Sequence, residues 1–221
     1  MNKIIIYGNG KIAKTIYHFL KKQFDVVGFT VDEKYIEENS IEGLMVRPFE
    51  NIELEFDPAD HAMLIVVGYA QMNDIRRRKY QEAKKRGYTM ANYVHPSVYH
   101  HDNVHIGEGN VILDQVSIQP GARLGNNNFI WSNAVIAHGC EIEDDCWVTS
   151  GVTIAGNTTI KSGSFLGVNA TIGHNLTIGT QNFIGANALV TKSTGPNEAY
   201  IAPGSEKIRL DSQSFLKFSK L

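Results

Sequence analysis

One periodicity limits what this chain can fold into more than any other feature. Starting at Ile106, every sixth residue is apolar: Ile106, Ile112, Ile118, Leu124, Ile130, Ile136, Ile142, Val148, Ile154, Ile160, Leu166, Ile172, Ile178, Ile184 and Val190. All fifteen slots hold Ile, Leu or Val, with no insertion. A step of six fits neither the helical period of 3.6 nor strand alternation. It marks a solenoid of short flat strands separated by turns. The fourth residue after most anchors is small or polar, as at Ala122, Asn128, Ala134, Cys140, Cys146, Thr158, Ser164 and Ala170, which suits a tight corner. Glycine follows the anchor directly at Gly107, Gly125, Gly167, Gly173, Gly179 and Gly185, where the turn needs backbone freedom. Three such strands make one coil, and stacked strands lie about 4.8 Å apart.

The first ninety residues obey a different rule. Ile4 to Tyr7 is an apolar run of strand length, broken by Gly8-Asn9-Gly10. Ile12, Ile16, Phe19 and Leu20 then recur at helical spacing. Further strands are expected over Asp25 to Val31, Ala62 to Val67 and Thr89 to Val94, with a charged helix over Gln71 to Arg86 ended by Gly87. Strands alternating with helices predict a small Rossmann-like parallel sheet. The expected fold class is therefore an α/β N-terminal domain (residues 1–93) followed by a parallel β-helix with a C-terminal tail (residues 94–221).

Composition excludes several function classes. The 221 residues carry a formal net charge of -2, and no long basic run argues for nucleic acid. The densest positive cluster, Arg76 to Lys79, reads as a solvated helix face. Cys140 and Cys146 both fall in corner slots and read as packing residues rather than a disulfide or metal knuckle. The apolar start is too short for a signal peptide, and no apolar stretch is long enough for a membrane span. A cytoplasmic protein without membrane contact is the expectation.

Histidine, with a pKa near neutrality, is the usual general base, so its placement in the coils matters. Only His138 and His174 lie deep in the regular coils. Each follows its anchor by two residues, and they are two coils apart, so they share one edge with Gly156 between them. Spacing alone does not choose between these histidines. Gly8-Asn9-Gly10 sits at a strand-to-helix turn where backbone N–H groups favour phosphate, and Asp32 and Glu33 end the second strand.

The whole chain resembles the hexapeptide-repeat, left-handed β-helix acyltransferases, in the branch of nucleotide-sugar N-acetyltransferases and sialic acid O-acetyltransferases. The matching pieces are Ile4-Ile5-Ile6-Tyr7-Gly8-Asn9-Gly10, Val66-Val67-Gly68-Tyr69-Ala70 and His95-Pro96-Ser97-Val98, with the coil segments Ala137-His138, Ala155-Gly156-Asn157 and Leu166-Gly167-Val168-Asn169, and the closing Ile201-Ala202-Pro203-Gly204. The resemblance implies an acetyl-CoA-dependent enzyme that acetylates the amino group of a nucleotide-linked sugar for surface glycan synthesis. It also implies a homotrimer with acyl-CoA between neighbouring β-helices, and no metal. It gives His138 the role of base and Gly156 that of thioester-binding backbone. Trp147, Val168 and Ala186 are placed beside CoA, with Gly8, Asn9, Gly10, Asp32 and Gly68 at the nucleotide sugar.

The chain departs from the family pattern after the base, where Gly139 replaces the usual Glu or Asp. That leaves Glu141, Asp144, a neighbouring subunit or a backbone carbonyl to orient the imidazole. Trp147 stands where the family has a second histidine. Other readings stay open on the residues alone: O-acetylation of a sugar, a non-catalytic sugar-binding scaffold, or a zinc site of the γ-carbonic anhydrase type. For the last, Gly179 occupies the slot of the third ligand. His100, His101, Asp102 and His105 fall in the irregular first coil and read as a cap. The tail's Phe215, Leu216 and Phe218 are expected to pack on the prism or a neighbour.

Overall fold

The computed structural model describes residues 3–219. Its N-terminal part runs β1 (Lys3–Tyr7), α1 (Lys11–Leu20), β2 (Asp25–Val31), β3 (Ser40–Ile41), β4 (Leu44–Pro48), β5 (His61–Ile65), α2 (Asp74–Lys85) and β6 (Thr89–Met90). These strands form one six-stranded sheet in the order β3-β4-β2-β1-β5-β6, parallel except for the β3–β4 hairpin. The chain leaves β1 toward β2 on one side, and β5 returns on the other. This reversal opens a crevice at the carboxyl ends of β1 and β5. The hairpin is absent from the strand pattern read above. Glu42 and Gly43, both with positive φ, make its two-residue turn.

Two expected elements differ from what forms. The helix begins at Asp74 rather than Gln71, because Gln71, Met72 and Asn73 are all left-handed, with φ of 53°, 50° and 66°. The expected strand over Thr89 to Val94 is two strands in different sheets. Thr89–Met90 closes the N-terminal sheet, while Tyr93–Val94 is the first rung of the solenoid, paired with Val111–Ile112.

From Tyr93 the chain winds into a three-sided parallel prism. Face I stacks Tyr93–Val94, Val111–Ile112, Phe129–Ile130, Trp147–Val148, Phe165–Leu166, Phe183–Ile184 and Ala199–Tyr200. Face II holds six rungs from Tyr99–His100 to Leu189–Val190, and face III five from His105–Ile106 to Thr177–Ile178. Successive rungs pair 18 residues apart, as in Ile136↔Ile154 and Ile154↔Ile172. The anchors from Ile112 onward are buried in one continuous core with the corner residues. At corner III/I the inner column is polar rather than small. Asn110 and Asn128 each accept a backbone N–H from the coil above, and Ser164 accepts one from Asn182. Asn110 bonds through both ends of its amide, its Nδ2 donating to the Gly125 carbonyl at 2.9 Å, whereas Asn128 Nδ2 and Asn182 Oδ1 have no partner among the described residues.

The N-terminal domain packs on face I. Tyr93, Val111, Phe129, Trp147 and Phe165 share a core with Ile4, Ile6, Ile16, Phe29 and Leu64. Arg76 fastens the join. The expected solvated arginine is 1% exposed. Its guanidinium donates to the carbonyls of Asn127, Asp145 (2.8 Å) and Cys146 (3.3 Å) and lies over the Trp147 ring. Burial pushes its pKa down to about 10, opposed by Asp145, so it stays charged at neutral pH. The run Arg76 to Lys79 is split by the helical turn: Arg77 and Arg78 face solvent, while Arg76 and Lys79 face inward.

The tail forms α3 (Ser212–Ser219), but Phe215, Leu216 and Phe218 are exposed and do not pack on this chain's prism. The tail's last two residues lie outside the described ones. The prism core predicts a cavity penalty. Ile142→Ala should cost about 2–5 kcal/mol of unfolding free energy, read as a lowered urea midpoint. An unchanged midpoint would contradict the packed interior.

Candidate functional site

Three edges of the prism carry the side chains that follow each anchor by two. Edge II/III presents Pro120, His138, Gly156, His174 and Lys192 in a column. His138 is exposed, and its ring lies on Gly156. A Cβ added at Gly156 would sit 2.5 Å from His138 Cε1 and Nε2. The imidazole, and not backbone strain, fills the space that a side chain at residue 156 would take, since Gly156 has no positive φ. The Gly156 N–H makes no hydrogen bond among the described residues, although its carbonyl accepts from Asn175. A free backbone N–H beside an exposed imidazole offers one donor of the kind that a developing oxyanion needs.

The residue after His138 has a structural reason to be glycine. Gly139 is left-handed, with φ of 64°, and the Asn157 side chain stands where its Cβ would go. A carboxylate there would displace Asn157. Neither expected substitute takes over the imidazole. Asp144 lies on edge III/I, where Oδ1 accepts the Asn126 backbone N–H at 2.6 Å, and Glu141 is exposed on face III with no bond to the ring. The His138 backbone N–H donates to Gln119 Oε1 at 3.2 Å, which fixes the turn rather than the ring.

Trp147, expected beside the thioester, is elsewhere. It lies on face I, the face opposite edge II/III, and is 2% exposed. Its ring stacks on Phe129 at 4.4 Å and is covered by Tyr69. The Phe, Trp and Tyr rungs of face I exist to bury the N-terminal domain, and Trp147 belongs to them. Val168 and Ala186 are exposed and stacked, but on edge I/II. Within one chain, His138 and this pair stand on different edges.

The five expected nucleotide-sugar residues do converge. Gly8, Asn9, Gly10, Asp32 and Gly68 line one cavity of about 700 Å³ at the carboxyl ends of β1, β2 and β5. Gly8 has φ of 135°, and a side chain there would strike the Val66 carbonyl. Its N–H is bonded to Thr30 O at 2.8 Å, so it closes the sheet and is not a free donor. Gly10 precedes α1, and a Cβ there would meet nothing. The first turn of α1 has no acid, leaving its N–H dipole uncompensated toward the cavity. Lys11, Lys34, Arg78 and Lys79 bring positive charge to the cavity, and Glu37 and Glu82 line it as well.

Asp32 is already engaged. Its Oδ1 accepts the Tyr7 hydroxyl at 2.8 Å and Lys79 Nζ at 2.7 Å. Burial acts to raise the Asp32 carboxyl, but the bonds from Lys79 and Tyr7 outweigh it and hold the pKa below its ordinary value. Burial lowers the Lys79 ammonium, and the bonds to Asp32 and Glu82 overcome that and raise it. The Tyr7 phenol is pushed up by burial and then by Asp32. Lys79 was hidden in the charged run; its signal is the spacing of three from Arg76, which places both on the buried helix face. Among the described residues no three His, Cys, Asp or Glu side chains converge as a metal site. No helix among them is long and apolar enough to cross a membrane.

Comparison with known proteins places this geometry. Residues 1–86 match the family model described as C2185-like, N-terminal, and residues 121–156 match that of the bacterial transferase hexapeptide (six repeats). A variant of perosamine N-acetyltransferase from Caulobacter crescentus, solved with CoA and GDP-perosamine, superposes with a TM-score of 0.82 at 22% identity, covering 89% of this chain and 92% of that one. The chain has the fold of the left-handed β-helix acetyltransferases. The acetyltransferase domain of PglB from Neisseria gonorrhoeae, in complex with acetyl coenzyme A, gives 0.80 at 20% identity, over 90% and 95% of the two chains. WeeI from Acinetobacter baumannii gives 0.61 at 19%, over 89% and 94%. Comparison with curated proteins yields no sequence match.

Packing at His138 is directly testable. In Gly156→Ala the new methyl occupies the space of the imidazole, so the His138 ring should swing off the edge and its NMR resonances should move while the melting temperature barely changes. Unmoved resonances would contradict the contact.

Proposed function

We propose that this protein is an acetyl-CoA-dependent N-acetyltransferase acting on the amino group of a nucleotide-linked sugar. One observation carries the reading: an exposed imidazole packed over a glycine whose N–H is free, in a chain that also holds a nucleotide-sized cavity with an uncompensated helix N-terminus. The fold neighbours that bind CoA and GDP-perosamine support it.

In this reading His138 accepts the proton from the attacking amine as the nitrogen–carbonyl bond forms. The Gly156 N–H donates to the oxyanion of the tetrahedral intermediate. As the carbon–sulfur bond breaks, His138 returns its proton to the departing thiolate. The imidazole works without a carboxylate behind it, because Gly139 and Asn157 fill that position.

The reading also implies a homotrimer. The cavity belongs to the domain that covers face I, and His138 stands on the edge opposite face I. A sugar held by one chain therefore meets the imidazole of another. Val168 and Ala186 flank face I, so they line the same cleft from the nucleotide side, and CoA lies between two prisms. The nucleotide diphosphate is held at Gly10 and the first turn of α1, with Asn9, Asp32 and Gly68 around it. The cytoplasm, where acetyl-CoA is available, is the compartment that this chemistry implies.

Purified protein should release free thiol from acetyl-CoA with one of the UDP-, GDP- or dTDP-linked amino sugars. His138→Ala should lower kcat by about 10²-fold or more, the scale of a lost general base. Turnover confined to hydroxyl sugars would convert the assignment to O-acetylation. A fully active His138→Ala variant would remove His138 from the chemistry.

A further inference from the structure

Between the cavity and the prism lies a short strained segment that the mechanism above does not use. Gln71, Met72 and Asn73 are three successive left-handed residues, none of them glycine. Such backbone persists only where the surroundings over-determine it. Here they do. Asn73 is fully buried: its Nδ2 donates to the Gly163 carbonyl at 3.0 Å, and its Oδ1 accepts from Arg76 at 3.0 Å. Arg76 in turn holds the carbonyls of Asn127 and Asp145. Asn127, Asp145 and Gly163 are the same turn position on three successive coils of edge III/I. The segment is thus bolted to the prism and not to the sheet that it leaves.

The clamp holds two side chains at the place where the cavity meets face I. Gln71 lines the cavity beside Gly68. Tyr69 lies between them in sequence, with its ring 4.5 Å from Phe165 and 5.7 Å from Trp147, yet 46% of the residue remains open. Phe165 stacks on Phe183 at 4.7 Å and 7°, extending the aromatic wall past the domain join. Lys11, Lys34 and the first turn of α1 lie at the ends of β1 and β2, while Arg78 stands beside Gln71, its Nη2 3.5 Å from Gln71 Oε1.

We infer that the turn from Tyr69 to Asn73 reads the sugar of the nucleotide-linked substrate, with the Tyr69 ring under its C–H face and the Gln71 amide on its hydroxyls. An aromatic body paired with one placed amide is how a pocket recognises a ring that is apolar on its face and polar at its rim. Asn73 and Arg76 are positioning residues that set the height of this reader above the prism. The inference rests on the acetyltransferase reading and deepens it.

The test uses the full-length protein with acetyl-CoA and the UDP-, GDP- and dTDP-linked amino sugars, together with UDP, GDP and dTDP as competitive inhibitors. Tyr69→Ala should raise KM for the accepted sugar nucleotide about tenfold, leaving the inhibition constant of the parent diphosphate unchanged. Gln71→Ala should act in the same direction, and Tyr69→Phe, which keeps the ring, should restore the wild-type KM. An unchanged KM in Tyr69→Ala, or an equal loss of diphosphate inhibition, would overturn the sugar-reading role while the acetyltransferase reading stands. Diphosphate binding by a wild-type protein that acetylates none of these sugars would overturn both.

Discussion

Everything in the second half of this molecule depends on one backbone event repeated at each corner. The third residue after each anchor, from Gly109 to Asn187, turns left-handed, with φ between 54° and 74°. Left-handed backbone is unfavourable for ordinary L-residues, and glycine and asparagine tolerate it best. Glycine or asparagine stands at eleven of these fourteen corners, and their near relatives Gln115, Asp145 and Gln181 stand at the other three. Because every corner turns alike, every anchor points inward and each outward position becomes a straight column. The imidazole over Gly156, the aromatic ladder of face I and the amide column of corner III/I are all consequences of that alignment.

The same regularity explains what could be read without coordinates. The six-residue step makes the solenoid legible, and counting by 18 places His138, Gly156 and His174 on one edge, where they are. The cavity residues were legible for a related reason: a Gly-x-Gly turn after a buried strand and an acid at the end of the next must lie at the same end of a parallel sheet. Trp147 was not legible. Its slot within the repeat is known from sequence, but which face the N-terminal domain covers is set by tertiary packing, and that packing turns an outward indole into a buried one. Gly139 shows the converse. It departs from a family pattern, yet the left-handed corner and the Asn157 side chain account for it locally.

Arg76 is buried where its sequence context predicts exposure, because local polarity and tertiary burial point in opposite directions. A guanidinium in a charged helical run reads as solvated. Burying it is costly unless its donors are satisfied, and here the corner turns of the prism supply carbonyls to both Nη groups, while Nε has no partner among the described residues. Regular turns project carbonyl groups at a fixed rise, so a planar fork can bridge consecutive coils in a way that an ammonium cannot. The repeat therefore provides both a docking surface of aromatic rungs and a polar lock beside it. The N-terminal domain uses both, through Ile4, Ile6 and Leu64 on one side and Asn73 with Arg76 on the other.

This docking has a consequence for where catalysis can occur. A straight prism never brings its own edges together, so residues on edges II/III and I/II cannot converge within one chain. The N-terminal domain occupies face I, and His138 stands on the edge opposite that face. Under the proposed function, the domain that holds the cavity and the edge that carries the base thus belong to opposite sides of one prism, and a second copy is what would bring an edge to a cavity. The proposed trimer answers that geometry, since a three-sided prism can offer one edge to a neighbour and receive another.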